Sequence, residues 1–411
     1  MQPIRFSLIV PTRERVNTLR FCLQTLVAQT YENLEIIVSD NASTDGTEAF
    51  VKSLKDSRIR YVNTGQRVGM SQNWEFALKH ATGDWIGYVG DDDGLLPGCF
   101  EKIQKLIETT QAKAIRTRAC SYIWPNAQPQ GDHLAMNVPL GKTHQWRKSS
   151  QWIDKALAGH VNYSELPMLY NGGFVQKSLL DDFSQMHGQV FFSRIPDVYS
   201  GMLIASLVDE YVYSTEPVAI NGTSASSTGY AQFRAHDING APKQHSDPSF
   251  MFAQEANLPF HASLPLMRDG DIPKSLQALI FESYAQVADR IPAMTHMPPL
   301  QVAQGILNSR HSMSSELIAE WTDDFRKKHN ISEASQMKSP RLKRPLNLLR
   351  FIFYRVSLVR HSFFFNDLNG SVSDIFAASV VAGNIHRTQP QYFWNVASHL
   401  FKTYLRSNKT L

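Results

Sequence analysis

Three carboxylates stand side by side at Asp91, Asp92 and Asp93, in "GDWIGYVGDDDGLLPG", directly after an aromatic and β-branched run. Adjacent like charges repel, so such a cluster at a strand end asks for a cation that arrives with a ligand. An all-oxygen donor set suits Mg2+ or Mn2+, and Mg2+ usually completes its shell with water and phosphate oxygens. The run is not a calcium loop of the EF-hand kind, because Lys102 stands where a bidentate Glu is required. A plainer reading is an acidic turn in which Asp93 caps the next helix. A further carboxylate, Asp40, closes "LEIIVSD" and can accept a hydrogen bond from an imide N–H. Asp197, in "RIPDVYSGMLIA", precedes an apolar helix, a favoured place for a capping side chain.

The elements that must position these groups alternate. "RFSLIV" reads as a buried strand stopped by Pro11. Leu19, Cys22, Leu23, Leu26 and Val27 follow at helical spacing, with Asn17 or Thr18 as cap. "LEIIVSD" is a second strand, and Asp45 with Glu48 resembles a capping box. "IRYVN", the Met70–Leu78 helix, "DWIGYVG" and a helix opened by Pro97 continue the pattern. Strand–helix alternation implies right-handed crossovers and a mostly parallel sheet, whose ligands bind outside the carboxyl ends of the strands. Pro11-Thr12-Arg13-Glu14, Asp40-Asn41 and Asp91-Asp92-Asp93 each follow a strand, so all three clusters fall on one edge.

Composition narrows the class. At 411 residues, 43% apolar and 19% charged, the chain is a folded protein with room for two or three domains. A net charge of +4 gives no case for nucleic acid. Cys22, Cys99 and Cys120 are odd in number and lack C-x-x-C spacing, which points to reduced thiols and a cytoplasmic setting. No stretch is long and apolar enough to span a bilayer. Neither GxGxxG nor GxxxxGK[ST] follows the first strand, so a phosphate-bearing ligand would be held mainly through a metal.

"SLIVPTRERVNTLRFCLQTLVAQTYENLEIIVSDNASTDGT" and "VGMSQNWEFALKHATGDWIGYVGDDDGLLPG" together resemble the family 2 glycosyltransferases. The likeness is dense over the first 110 residues or so and thins toward residue 230. It implies a GT-A fold and inverting, metal-assisted transfer of a sugar from a UDP-, GDP- or dTDP-linked donor. The acceptor class implied is a glycan or lipid-linked hydroxyl in polysaccharide, glycolipid or glycan synthesis. By the same resemblance, Pro11, Thr12 and Glu14 fall in the base-contacting loop and Asp40 contacts the nucleobase. Asp91 to Asp93 match the DxD-type motif, with Asp92 toward ribose and Asp93 on the metal, Mg2+ or Mn2+. Asn41 replaces the more usual second acid, and Asn73 with Gly69 matches a donor-side helix motif. Asp197 corresponds to the catalytic base, after a "YNGGF" that resembles the family's acceptor loop; Asp181 and Asp182 are the alternatives. A catalytically silent sugar-nucleotide-binding scaffold on the same fold is the competing reading.

The expected organisation is a GT-A domain at 1–230, divided into a nucleotide-sugar half (1–111) and an acceptor half (112–230). A helical region (231–335) and a basic, aromatic region (336–411) follow. Lys338, Arg341, Lys343, Arg344, Arg350, Arg355 and Arg360 are interleaved with "FIFY" and "FFF", a composition suited to an anionic membrane surface through 338–365, at the inner face. However, Arg350, Arg355 and Arg360 advance about 140° per step on a helix and share no face, which favours aromatics packed inward.

Overall fold

The computed structural model describes residues 3–127, 134–227, 258–267, 270, 272, 275–291, 305–306, 315–331, 362–366 and 372–388. The expected alternation opens the chain: β1 (Phe6–Thr12), α1 (Val16–Val27), β2 (Leu34–Asp40), α2 (Thr47–Ser53), β3 (Ile59–Asn63), α3 (Met70–Leu78) and β4 (Trp85–Tyr88). After β5 (Gly94–Leu95) and α4 (Cys99–Thr110), the chain forms β6 (Ala114–Thr117), β7 (Cys120–Ile123), β8 (Leu134–Pro139), β9 (His144–Lys148) and α5 (Ser149–Leu157). Then come a 3-10 turn (Tyr163–Glu165), β10 (Gly173–Gln176), α6 (Lys177–His187), α7 (Pro196–Leu207), β11 (Glu210–Ser214) and β12 (Ala219–Thr223). The remaining described elements are α8 (Leu276–Ala288), α9 (Ser315–Lys328), β13 (Ser362–Asn366) and α10 (Ile375–Arg387).

The central sheet is eight-stranded, in the order β3-β2-β1-β4-β10-β6-β11-β9. The strands β3, β2, β1 and β4 run parallel, β10 enters antiparallel, and β6 and β11 return to the first direction. This is the mostly parallel, helix-flanked sheet expected from the sequence. Both of its faces are covered, so the central strands are buried along almost their whole length. In β1, Phe6, Leu8 and Val10 pack with α1 and α4 on one face, while Ile9 joins Trp74, Tyr88 and the α7–α8 layer on the other. That alternation is the two-residue period of the strand.

Local corrections follow from the helix starts. The N-cap of α1 is Arg15, not Asn17 or Thr18, and Asp45 accepts from the Val16 and Thr47 amides instead of closing a capping box. The helix after Pro97 begins at Cys99, behind a left-handed Gly98.

A second, five-stranded sheet runs β13-β8-β7-β12-β5. Its outer strand β13 is the "FFF" run, paired antiparallel with β8. Phe363 and Phe365 turn inward and Phe364 is exposed, so these aromatics do pack, but in a strand. Residues 338–361 lie outside the described residues. The helix α10 packs on α1 and this second sheet, and α8 packs on α7. Among the described residues, no helix is long and apolar enough to cross a membrane.

Candidate active site

The parallel register aligns Thr12, Asp40 and Asn63 at one sheet edge. There β4 ends at Tyr88 and hands the chain to Gly90–Asp93, while β10 starts from the same edge at Gly173. The amide of Asn171 donates to the carbonyl of Tyr88 at 3.0 Å, which brings "YNGGF" alongside the aspartates. The three acidic clusters and the acceptor-loop motif therefore converge.

The aspartates tolerate one another because each faces different partners. Asp91 accepts from the Thr12 hydroxyl at 2.8 Å and pairs with the Arg15 guanidinium at 3.1 Å. Burial raises its pKa, and Asp92 adds to the rise while Arg15 opposes it. Asp92 Oδ2 accepts from the hydroxyls of Ser224, at 2.6 Å, and Ser227. No donor among the described residues meets its Oδ1. Asp93 is enclosed: its Oδ2 accepts from Tyr170 Oη (2.6 Å), Asn171 Nδ2 (2.9 Å) and the Gly90 amide (3.1 Å), and its Oδ1 accepts from the Gly222 amide (2.6 Å). Burial and the neighbouring Asp92 push its pKa up to about 7, against the pull of those donors.

These contacts leave the three carboxylates unequally engaged. Asp93, expected as the metal ligand, has both oxygens engaged by protein donors. Asp92, expected at the ribose, has the one carboxylate oxygen of the three aspartates that no protein donor occupies. A hard divalent ion that takes most of its shell from water and phosphate fits a single open oxygen of this kind. Among the described residues, no cluster of three or more acidic, His or Cys side chains forms a closed metal cage.

At the β1–β3 end of this edge, Asp40 is fully buried; its Oδ1 accepts from the Ser43 amide and its Oδ2 from Tyr61 Oη at 2.7 Å. Glu14, at φ 51°, accepts from the amide and hydroxyl of Thr44 and pairs with Arg67 at 2.8 Å. Pro11 is partly exposed near the carboxyl end of β1. Asn73 turns its amide to Ser39, through Oδ1 at 2.7 Å and Nδ2 at 3.3 Å, so it clasps α3 to β2. Asn41 holds the Val68 backbone through both its side-chain atoms. The Arg13 pKa is lowered by burial and then by Arg15 and Arg67, the mark of guanidiniums crowded at one edge.

On the other side, Asp197 is the second residue of α7; the N-cap is Ile195 and Pro196 takes the first position. The capping reading therefore does not hold. Its Oδ2 accepts from Tyr163 Oη at 2.9 Å. The helix N-terminus suggests a lowered pKa, yet the pKa is raised: burial outweighs the Tyr163 hydroxyl and the first-turn amides. Asp181 and Asp182 are exposed on α6, and Asp181 pairs with Lys177 at 2.6 Å. The Lys177 amide bonds the carbonyl of Asp84, at the opposite edge of the sheet, which removes both residues from the site.

Sequence reasoning missed Arg15, Tyr163, Tyr170, Asn171, Ser224 and Ser227. Only Tyr170 and Asn171 carried a signal, since both sit in "YNGGF", where Asn171 takes φ 44° and Gly172 φ 91°. Gly222 shows how closely the second sheet approaches the aspartates. A Cβ there would overlap the Asp92 carbonyl and lie 2.7 Å from Trp124 Nε1. Gly222→Ala is thus expected to displace Asp92 and Asp93 together, lowering stability by about 1–3 kcal/mol and weakening nucleotide binding. Denaturant titration and calorimetry with UDP and GDP check both effects; unchanged values would show that the loop yields freely.

Residues 7–151 match the family model described as "Glycosyl transferase family 2". Among characterised relatives, the GalNAc(5)-diNAcBac-PP-undecaprenol beta-1,3-glucosyltransferase of Campylobacter jejuni is 35% identical over 104 residues, 25% of this chain and 34% of that protein. The Escherichia coli protein WfaP, a UDP-Glc:alpha-D-GlcNAc-diphosphoundecaprenol beta-1,3-glucosyltransferase, is 33% identical over 87 residues, 21% of this chain and 35% of that one. The matched stretch thus spans about a third of either relative's length. Staphylococcus aureus TarS 1–349 in complex with UDP-GlcNAc aligns over 94% of this chain and 92% of its own, at 13% identity and a TM-score of 0.42.

Proposed function

We infer that this chain, which carries a family 2 glycosyltransferase domain over residues 7–151, moves a sugar from a nucleoside-diphosphate donor to an acceptor hydroxyl by one inverting displacement. The observation that carries this reading is that Tyr170 stands within electrostatic reach of both Asp92 and Asp93 and of a separate, partly exposed carboxylate, Asp197. The tyrosines that hold Asp93 and Asp197 belong to one short stretch, Tyr163 to Tyr170.

The nucleoside would lie over Pro11, Thr12, Glu14 and Asp40, and the diphosphate beside Arg13, Arg67 and Asp92. A divalent cation, Mg2+ or Mn2+, when bound through Asp92, would offset the charge of the departing diphosphate. Asp197 would take the proton of the acceptor hydroxyl on the oxygen that Tyr163 leaves open. The acceptor oxygen then bonds the anomeric carbon as the bond from that carbon to the phosphate oxygen breaks. Attack on the face opposite the leaving group inverts the centre.

The names of the relatives support a glycan or lipid-linked acceptor. Buried, unpaired Cys22, Cys99 and Cys120 support a reducing, cytoplasmic setting. The packing of α10 on α1 supports treating the described part of 336–411 as integral to the catalytic unit.

A thermal-shift panel of UDP, GDP and dTDP, each with and without Mn2+, tests the reading. Binding to the native state stabilises it by RT ln(1 + [L]/Kd), about 2.7 kcal/mol at a hundredfold excess over Kd. One nucleotide should stand out, and more strongly with Mn2+. A flat panel would overturn the donor assignment.

A further inference from the structure

We propose that Arg116 is a positioning residue, the strut that fixes the base Asp197 relative to the donor-side carboxylates; this rests on the catalytic reading above. Arg116 lies in β6 and is 4% exposed. Its Nε donates to the carbonyl of Ser164 at 2.7 Å, and its Nη1 donates to the carbonyls of Tyr170 at 2.6 Å and Asn171 at 2.8 Å. Ser164 follows Tyr163, whose hydroxyl holds Asp197. Tyr170 and Asn171 are the two side chains that hold Asp93 Oδ2. One guanidinium therefore ties the backbone of both carboxylate holders.

Stability alone gives poor reason for a cation here. Burial holds the Arg116 pKa below its usual value, and the three acceptors of its Nε and Nη1 are all neutral carbonyls. An apolar side chain would avoid that desolvation. What an apolar chain lacks is the planar fork, which bonds three carbonyls from two separate turns at fixed spacing. The far side of the 3-10 turn is pinned as well: Arg147 pairs with Glu165 at 3.0 Å, and Tyr211 Oη donates to the Glu165 carbonyl at 2.7 Å.

The other charged groups on elements packed around α7 are directed elsewhere. Glu75 of α3 accepts from the Val190 and Phe191 amides, Glu282 of α8 from Ser193, and Asp154 and Lys155 of α5 are exposed. Tyr170, which faces Asp93, is the further titratable neighbour of Asp197. After burial itself, the Tyr163 hydroxyl is the strongest influence on the protonation of Asp197, and its placement is what Arg116 governs.

The test compares Arg116→Lys, Tyr163→Phe and the double variant in protein labelled with 13C at the aspartate carboxyl carbons. The Asp197 signal is identified by its loss in Asp197→Asn. Tyr163→Phe removes a hydrogen bond to the charged form and should raise the Asp197 midpoint by about one pH unit. Arg116→Lys should raise it in the same direction, and should add nothing in the Tyr163→Phe background. Calorimetry with UDP and GDP plus Mn2+ should stay within about threefold of wild type while turnover falls roughly tenfold to a hundredfold, as misplaced catalytic groups do. A lower thermal midpoint with an unmoved Asp197 titration in Arg116→Lys would reduce Arg116 to a structural bond. Should Arg116→Lys fail to fold, unchanged titration and turnover in Tyr163→Phe alone overturn the strut. If the titration moves as expected and no nucleotide sugar is turned over, the catalytic reading fails and the strut stands.

Discussion

Asp197→Asn is expected to lower sugar transfer by roughly 10²- to 10⁴-fold, the contribution of a positioned general base, while making the folded protein more stable at neutral pH. The two effects share one cause. Burial raises the Asp197 pKa above its unfolded value, so between the two values the native state binds the proton that the unfolded chain has released. Stability is then greatest below the unfolded pKa of about 3.9 and is lost as pH rises through the folded value. Asparagine does not titrate, and its side-chain oxygen can still accept from Tyr163. The thermal midpoint of the variant should therefore exceed that of wild type at pH 7.5, and the gap should close on approach to pH 4. The same shift sets the pH dependence of turnover in wild type, which should fall on the acid side as the raised carboxyl takes up its proton. Donor turnover within a few-fold of wild type in the variant would remove Asp197 from the chemistry. A midpoint lower at neutral pH would show instead that the carboxylate is a net stabilising group.

How much of this was legible follows from where each contact lies along the chain. Strands β1 to β4 each read as apolar runs closed by turn residues, and their parallel pairing put Thr12, Asp40 and Asp91–Asp93 on one edge before any coordinates. The partners of those aspartates were not legible. Ser224, Ser227 and Gly222 reach Asp92 and Asp93 across separations of 129 residues or more. Arg116 contacts "YNGGF" across 54 and 55 residues. Such pairings depend on the order of β6 and β10 in the first sheet and of β12 in the second, which periodicity does not encode. The capping reading of Asp197, held beside the catalytic one, fails for a different reason. An acid before an apolar helix looks the same one position earlier or later, and Pro196 moves the helix start to the residue before it. The strand form of the tail's aromatic run was hidden by composition. "FFF" beside many arginines suits an amphipathic helix as well as a strand, and only the pairing with β8 decides it.

The paired variants Asp92→Asn and Asp93→Asn should separate a ligand from a strut. In Asp92→Asn the amide oxygen can keep the Ser224 and Ser227 hydroxyls, so the fold should hold within about 0.5 kcal/mol of wild type. What is lost is the open anionic oxygen, and nucleotide binding should no longer respond to Mn2+. In Asp93→Asn the amide nitrogen must point at a donor whichever way it turns. It meets the Gly222 amide in one orientation, and the Gly90 amide with Asn171 Nδ2 in the other. Each buried donor left unpaired costs about 1–3 kcal/mol, so a total of about 2–5 kcal/mol is expected, read as a lower denaturant midpoint. The Mn2+ response of whatever folded fraction remains should persist, because Asp92 still presents its oxygen. The reverse outcome decides equally well. If Asp93→Asn folds like wild type and abolishes the Mn2+ response while Asp92→Asn leaves it intact, Asp93 must turn out of its enclosure to bind the ion, and the assignment drawn from the motif alone stands.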